Sequence, residues 1–206
     1  MSITTYTELK AAIADFLLRS DLTAVIPTFI SLAEADMNRK MRHWRMEGRS
    51  TAQLDTQYLV MPADFLEAIR YKIIGTRPTS IELTSQSDIS DQRALNNDTA
   101  GLPLYYAITG SQIEVFPTPD QTYTSELVYY KRIAALSDAN ADNWLLTYHP
   151  DAYLYGALAS SAPYLQADER LGVWASLYQN AVDGINNEGQ SAKYGGSGLR
   201  MKIRSY

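Results

Sequence analysis

Residues 26–54 read IPTFISLAEADMNRKMRHWRMEGRSTAQL, and the spacing of apolar side chains changes within this stretch. Up to about Arg42 they recur every three or four residues, which predicts an amphipathic helix with Pro27 in its first turn. Beyond Trp44 the segments become short and rich in β-branched residues and tyrosine, with turn-forming residues between them, which predicts strands. The fold class therefore depends on how far each pattern extends on either side.

The strand pattern continues to about residue 131 and predicts an antiparallel sheet. Its strongest hairpin signal is the pair Gly110 and Ser111, which separates two apolar segments by a two-residue turn. Between Ser87 and Leu95 one or two helical turns are possible. The predicted strands are 45–54, 57–60, 65–74, 81–84, 104–109, 112–116 and 122–131.

Helical patterns precede and follow these strands. Residues 5–18 carry one apolar stripe, and Thr5 and Glu8 form a capping-box pattern at its start. Two more helices are predicted at about residues 150–163 and 168–187, again with apolar residues on a single face. Together with the helix in residues 26–42 they make four amphipathic helices, which can bury their stripes against one another.

The sequence therefore predicts an α+β protein with a four-helix bundle formed by N- and C-terminal helix pairs. An antiparallel β-rich domain is inserted between the pairs, and an extended tail follows the last helix. The predicted domains are 1–43 plus 144–188 for the bundle, 44–143 for the β-rich insertion, and 189–206 for the C-terminal tail.

Composition and motifs exclude several kinds of site among the 206 residues. The absence of cysteine excludes disulfides, zinc–thiolate sites, iron–sulfur clusters and cysteine nucleophiles. No phosphate-binding glycine loop, serine nucleophile elbow or HExxH zinc motif occurs. The loop 138–149 begins like a calcium loop but lacks its glycine and its final glutamate. We therefore predict no catalytic residue, no metal and no cofactor.

Charge is distributed unevenly along a chain whose net charge is −5, a value that disfavours nucleic-acid binding by the whole molecule. Residues 133–192 hold seven acidic residues and one arginine before Lys193, whereas residues 39–49 are basic. Such asymmetry suggests separate faces with separate partners. The basic residues are candidates for contacts between subunits, for a channel wall or, as an alternative function, for a DNA-binding module. They are Arg39, Lys40, Arg42, Arg45 and Arg49.

Several longer strings occur in a characteristic order. After residues 26–42 come YLVMPADFLE, GLPLYYAI, IEVFPTP, YY and NWLLTYHPDAYLY, at 58–67, 101–108, 113–119, 129–130 and 143–155. In this order the chain resembles the head-to-tail adaptor (connector) proteins of short-tailed and related phages, of the tail tubular protein A type. The resemblance covers about residues 22–180.

The resemblance implies a virion structural protein and not an enzyme. Adaptors of this type form a ring, usually of twelve copies, between the portal and the tail or nozzle proteins. Genomic DNA passes through the ring during ejection without sequence-specific binding, and no membrane is involved. The expected location is the virion, after assembly in the host cytoplasm. A tail-associated cell-wall hydrolase remains an alternative function.

The C-terminal segment of such adaptors typically contacts the portal. Here a Gly-Gly-Ser-Gly run at 195–198 is followed by alternating apolar and basic side chains, which suit a segment that becomes ordered on binding a partner. The predicted portal-binding residues are Leu199, Arg200, Met201, Lys202, Ile203, Arg204 and Tyr206.

Overall fold

The computed structural model describes residues 3–19, 21–75, 78–165 and 169–195. They form two compact units. The helical unit comprises the described residues of Met1–Met46 and Ile133–Tyr206, and the sheet unit comprises those of Glu47–Arg132. Among the helices in these ranges, none combines the length and the apolarity that crossing a membrane requires.

Most of the described helices belong to the helical unit, and side chains of Thr5, Ser85 and Asn143 cap the start of three α-helices. The predicted capping box of the first helix is confirmed, because Thr5 Oγ1 accepts from the Glu8 amide and Glu8 Oε2 accepts from the Thr5 amide, at 3.3 and 3.0 Å. The described residues also include two 3₁₀ turns, Trp44–Met46 and Ala162–Tyr164. The α-helices are α1 (Tyr6–Leu17), α2 (Ile26–Lys40), α3 (Gln86–Leu95, in the sheet unit), α4 (Trp144–Tyr148), α5 (Pro150–Ser160) and α6 (Arg170–Tyr194).

Helix α5 is the centre of the helical unit. It carries no charge after Asp151, so its surface is apolar on nearly all sides, and it packs against α1, α2, α4 and α6. The predicted four-helix bundle with a separate inserted domain is therefore wrong. Six α-helices occur in the described ranges, and in the helical unit α1, α2, α4 and α6 surround α5 instead of forming two pairs with equivalent apolar stripes.

Seven strands form one sheet in the order β1-β7-β3-β4-β5-β6-β2. The outermost strands, β1 and β2, are consecutive in the chain and are joined by residues 55–57 alone. This short link keeps the two sheet edges near each other, so the sheet curls into a nearly closed, barrel-like form. The strands are β1 (Glu47–Leu54), β2 (Tyr58–Val60), β3 (Phe65–Ile74), β4 (Thr79–Leu83), β5 (Tyr105–Thr109), β6 (Gln112–Phe116) and β7 (Tyr123–Lys131).

Each predicted strand segment overlaps one of these strands, and the predicted hairpin joins β5 to β6. Gly110 in its turn has a φ of 60°, a conformation that glycine adopts without strain. The expectation of a purely antiparallel sheet is wrong at one point, because β4 and β5 run parallel. Helix α3 lies in the connection between them, since parallel neighbours need a crossover. The sheet encloses an apolar core that includes Tyr71, Ile113 and Val115.

Candidate interaction surfaces

Three of the five predicted basic residues lie at the end of α2 and bind groups of their own helix end. Arg39 and Lys40 form ion pairs with Asp36 at 3.1 and 2.7 Å. The Arg42 guanidinium donates to the carbonyl oxygens of Asn38 and Met41, at 3.1 and 2.7 Å. Cations near a helix C-terminus are favoured by the helix dipole, so much of this charge serves local structure.

The fourth basic residue, Arg49, belongs to a charge cluster on the sheet that sequence spacing did not reveal. Its Nε lies 2.6 Å from Glu126 on β7, and the same carboxylate binds Lys72 and Arg70 of β3 at 2.9 and 3.3 Å. The hydrogen bond from Lys72 is the main reason why the pKa of Glu126 is lowered. Register brings these residues together, because Lys72 lies opposite Glu126 while Arg49 and Arg70 both lie opposite Val128.

The fifth, Arg45, differs from the others. Its guanidinium lies against two aromatic rings, 4.5 Å from the centroid of Trp44 and 4.1 Å from that of Tyr148. Its Nε is buried and has no hydrogen-bond acceptor, and within the described part of the chain Arg45 forms no ion pair. The two rings remain 39% and 57% exposed. Trp44, Arg45 and Tyr148, which we call the stacked-cation surface, therefore present an ordered positive charge to the exterior.

A histidine pair supports this surface from within the helical unit. His43 is fully buried, stacks on Trp144 at 5.1 Å between ring centroids, and accepts the Arg45 amide at Nδ1 over 3.2 Å. The neutral ring therefore carries its proton on Nε2. That atom lies 3.9 Å from one oxygen of Glu188, and Nε2 of His149 lies 3.7 Å from the other.

The electrostatics of this pair favour a neutral His43. Burial lowers its pKa most, the nearby His149, Arg45 and Lys193 add to this effect, and Glu188 opposes it. Close packing also fixes the ring, since a Cβ at Gly189 would lie 3.0 Å from His43 Cδ2. No sequence pattern indicated Glu188, which α6 supplies from 145 positions further along the chain.

A second exposed surface lies at the end of α1. Leu18, the C-cap residue, has a left-handed φ of 55° and is 82% exposed, and Phe16 is 44% exposed. Next to them is a shallow cavity of about 550 Å³, lined by Ala14, Asp15, Leu18, Arg19 and Thr23. Arg19 pairs with Asp21, whereas the exposed Asp15 carboxylate forms no ion pair within the described residues. We call this set the α1-end surface; nothing in the sequence patterns had indicated it.

A cavity of about 320 Å³ in the sheet unit contains the carboxylates of Asp88 and Asp91. Asp88 accepts hydrogen bonds from Thr84 and from the Ser85 amide, and hydrogen bonding by Ser85 and Thr84 lowers its pKa. A hydrolytic general acid needs the opposite shift, and Asp88 instead completes the capping box of α3, whose N-cap residue is Ser85.

The acidic loop that resembles half of a calcium site closes as a turn between Ser137 and Asn140, and its Asp138 binds Lys10 at 2.8 Å. In the ranges that the structure describes, no three histidine or acidic side chains have a metal-binding arrangement. The predicted portal-binding residues from Leu199 to Tyr206 lie outside the described residues.

Comparison with known proteins assigns the family. No curated protein matches the chain. The family model described as SU10 adaptor protein matches residues 4–201, which is nearly the whole chain. This match confirms the predicted resemblance to phage head-to-tail adaptors. The chain therefore belongs to the SU10 adaptor protein family.

Proposed function

We propose that this protein is a subunit of a ring-shaped adaptor that joins the portal to the tail and forms part of the channel for DNA ejection. The family match over residues 4–201 is the observation that carries the proposal, because it makes the chain a structural phage adaptor, a virion component that interacts with portal and tail proteins. The family match does not cover ring formation, copy number or DNA passage, and these are the parts of the function that we propose.

Ring closure requires that each subunit use two different surfaces, because identical copies in a cyclic ring contact one another head to tail. The stacked-cation surface and the α1-end surface differ in charge and in chemistry, and both are exposed. These unlike surfaces support a ring more than a two-fold dimer, which would use one surface twice.

A channel for moving DNA must not hold phosphates tightly. The net charge of −5 fits this requirement. So do the ion pairs of Arg39, Lys40 and Arg49 with carboxylates of their own chain, because a paired cation attracts phosphate less strongly. No observation on the described residues favours the DNA-binding module or the hydrolase.

Contact with the portal is assigned to the C-terminal segment. Helix α6 continues to Tyr194, seven residues beyond its predicted end, and leads into the glycine-rich run and the apolar-basic segment. We propose that the side chains from Leu199 to Tyr206 bind the portal, because alternating apolar and basic residues gain contacts only on a complementary partner.

The test is binding of purified cognate portal by the full chain and by a chain ending at Gly195, which keeps all of α6. We expect rings on the portal with the full chain, seen by electron microscopy along the symmetry axis, and none with the shortened chain. The matched control replaces Leu199, Met201 and Ile203 by serine at full length. A full chain that never forms a ring on the portal overturns the proposal. A shortened chain that binds equally well removes the role of the C-terminal segment alone.

A further inference from the structure

The two exposed surfaces lie at opposite ends of the helical unit. Helices α2 and α6 run in the same direction, because Tyr178 donates to Asp36 at 2.9 Å and the Arg42 amide donates to Asn186 at 3.0 Å. Arg170, at the start of α6, donates to the Phe16 carbonyl oxygen, which places the α1-end surface there. The stacked-cation surface follows the end of α2, about 22 Å away for a helix of 15 residues.

The stacked-cation surface has the composition of an interface hot spot. Tryptophan, tyrosine and arginine are the residues enriched at such positions, and stacking fixes the arginine before any partner arrives. Two aromatic rings lie against the Arg45 guanidinium, while its charge lacks a carboxylate in the described residues. The free edge of a guanidinium suits a planar anion.

The α1-end surface offers the complementary chemistry. Leu18 places a large apolar side chain in solvent at a left-handed position that usually holds glycine, so a partner that covers it would remove apolar surface from water. Phe16 adds a half-exposed ring, and Asp15 adds a carboxylate at the cavity that forms no ion pair within the described residues. A partner surface that is apolar and carries one positive charge could cover Leu18 and Phe16 and pair with Asp15.

We propose that the stacked-cation surface of one copy of this chain binds the α1-end surface of the next, with Arg45 pairing with Asp15 and the rings of Trp44 and Tyr148 covering Leu18. This pairing rests on the proposed function, since it identifies the contact that closes the ring. A second copy is favoured over DNA because a phosphate backbone would match Arg45 alone and would leave Leu18 and Asp15 without a partner. Surfaces at opposite ends also suit a head-to-tail contact, which a ring requires.

The experiment measures ring assembly on portal as a function of adaptor concentration, with full-length chains. We expect Arg45→Asp and Asp15→Arg each to raise the concentration that half-fills the portal about tenfold or more, and the double variant to recover most of this loss. The matched control is Arg132→Asp, an exposed charge reversal in the sheet unit that should change nothing.

Leu18→Gly separates binding from folding. Because it relieves a left-handed backbone, the variant should be at least as stable as the parent in urea, yet it should assemble less well. The pairing is overturned if both charge variants assemble like the parent, or if the double variant shows no recovery. It is also overturned if Arg45→Asp loses affinity for duplex DNA with assembly unchanged. In these cases the parent still forms rings and the proposed function stands; a parent without rings overturns the proposed function itself.

Discussion

Gly156 is the point where α5 approaches its neighbours most closely, and replacing it by alanine tests the central position of this helix. A Cβ there would lie 3.0 Å from Tyr178 Cε2 and 3.1 Å from both Ala33 Cβ and Met37 Cε. Tyr178 cannot easily withdraw, because its hydroxyl is bound to Asp36. Alanine gains about 1 kcal/mol over glycine in a helix, but overpacking of this kind costs about 2–3 kcal/mol. We expect a net loss of about 1–2 kcal/mol.

Gly184 provides the matched control for this substitution. It lies within α6, and a Cβ there would meet no atom within 4 Å, so Gly184→Ala should stabilise the protein by up to about 1 kcal/mol. Urea unfolding followed by tryptophan fluorescence compares the two variants, since all three tryptophans lie in the helical unit. If Gly156→Ala were as stable as Gly184→Ala, the close packing around α5 would be refuted.

Three further substitutions test single contacts of the helical unit by the same unfolding assay. Thr5→Ala removes the cap of α1 and should cost about 1 kcal/mol, most of which Thr5→Ser should retain. Asn143→Ala should cost more, about 2–3 kcal/mol, because its amide caps α4 and also donates to the buried Tyr153 hydroxyl at 2.7 Å. The pKa of His43 in the folded protein lies below its ordinary 6.5, so at acidic pH the unfolded chain binds more protons than the folded one. The free energy of unfolding should therefore decrease as the pH drops below about 6.5, by up to about 1.4 kcal/mol per pH unit. His43→Asn should flatten this slope whatever its effect on stability at neutral pH, and an unchanged slope would contradict the reasoning.

Local sequence rules predicted those features that depend on residues close in the chain. The Thr5 and Glu8 capping box lies within one turn, and the Gly110 hairpin lies within two residues. The strand segments followed from composition and from turn residues in the same way. In each case residues a few positions away decide which local structure is stable, so the prediction needs no knowledge of tertiary contacts.

The failures concern contacts between residues far apart in sequence. The pattern in 150–163 predicts one buried face, although α5 packs against four other helices. The stacking of Arg45 depends on Tyr148, 103 positions later, and the cluster around Glu126 depends on strand register. Periodicity assigns a residue to one face of its own element, but it does not say which other elements cover that face.

Polar and charged side chains inside the helical unit can be compared with Arg45 by asking which groups they bind. Buried Glu34 of α2 accepts hydrogen bonds from the Leu136 amide and the Tyr153 hydroxyl, at 2.8 and 3.1 Å, although burial raises its pKa. Asn38 likewise accepts from the Ile133 amide at 2.9 Å. These polar groups join α2 to the segment that follows the sheet unit, so each has a structural reason. Arg45 stacks on Trp44 and Tyr148, but within the described residues no carboxylate pairs with its charge. The proposed contact between copies would supply that carboxylate from Asp15, which is why the charge reversals at Arg45 and Asp15 test it directly.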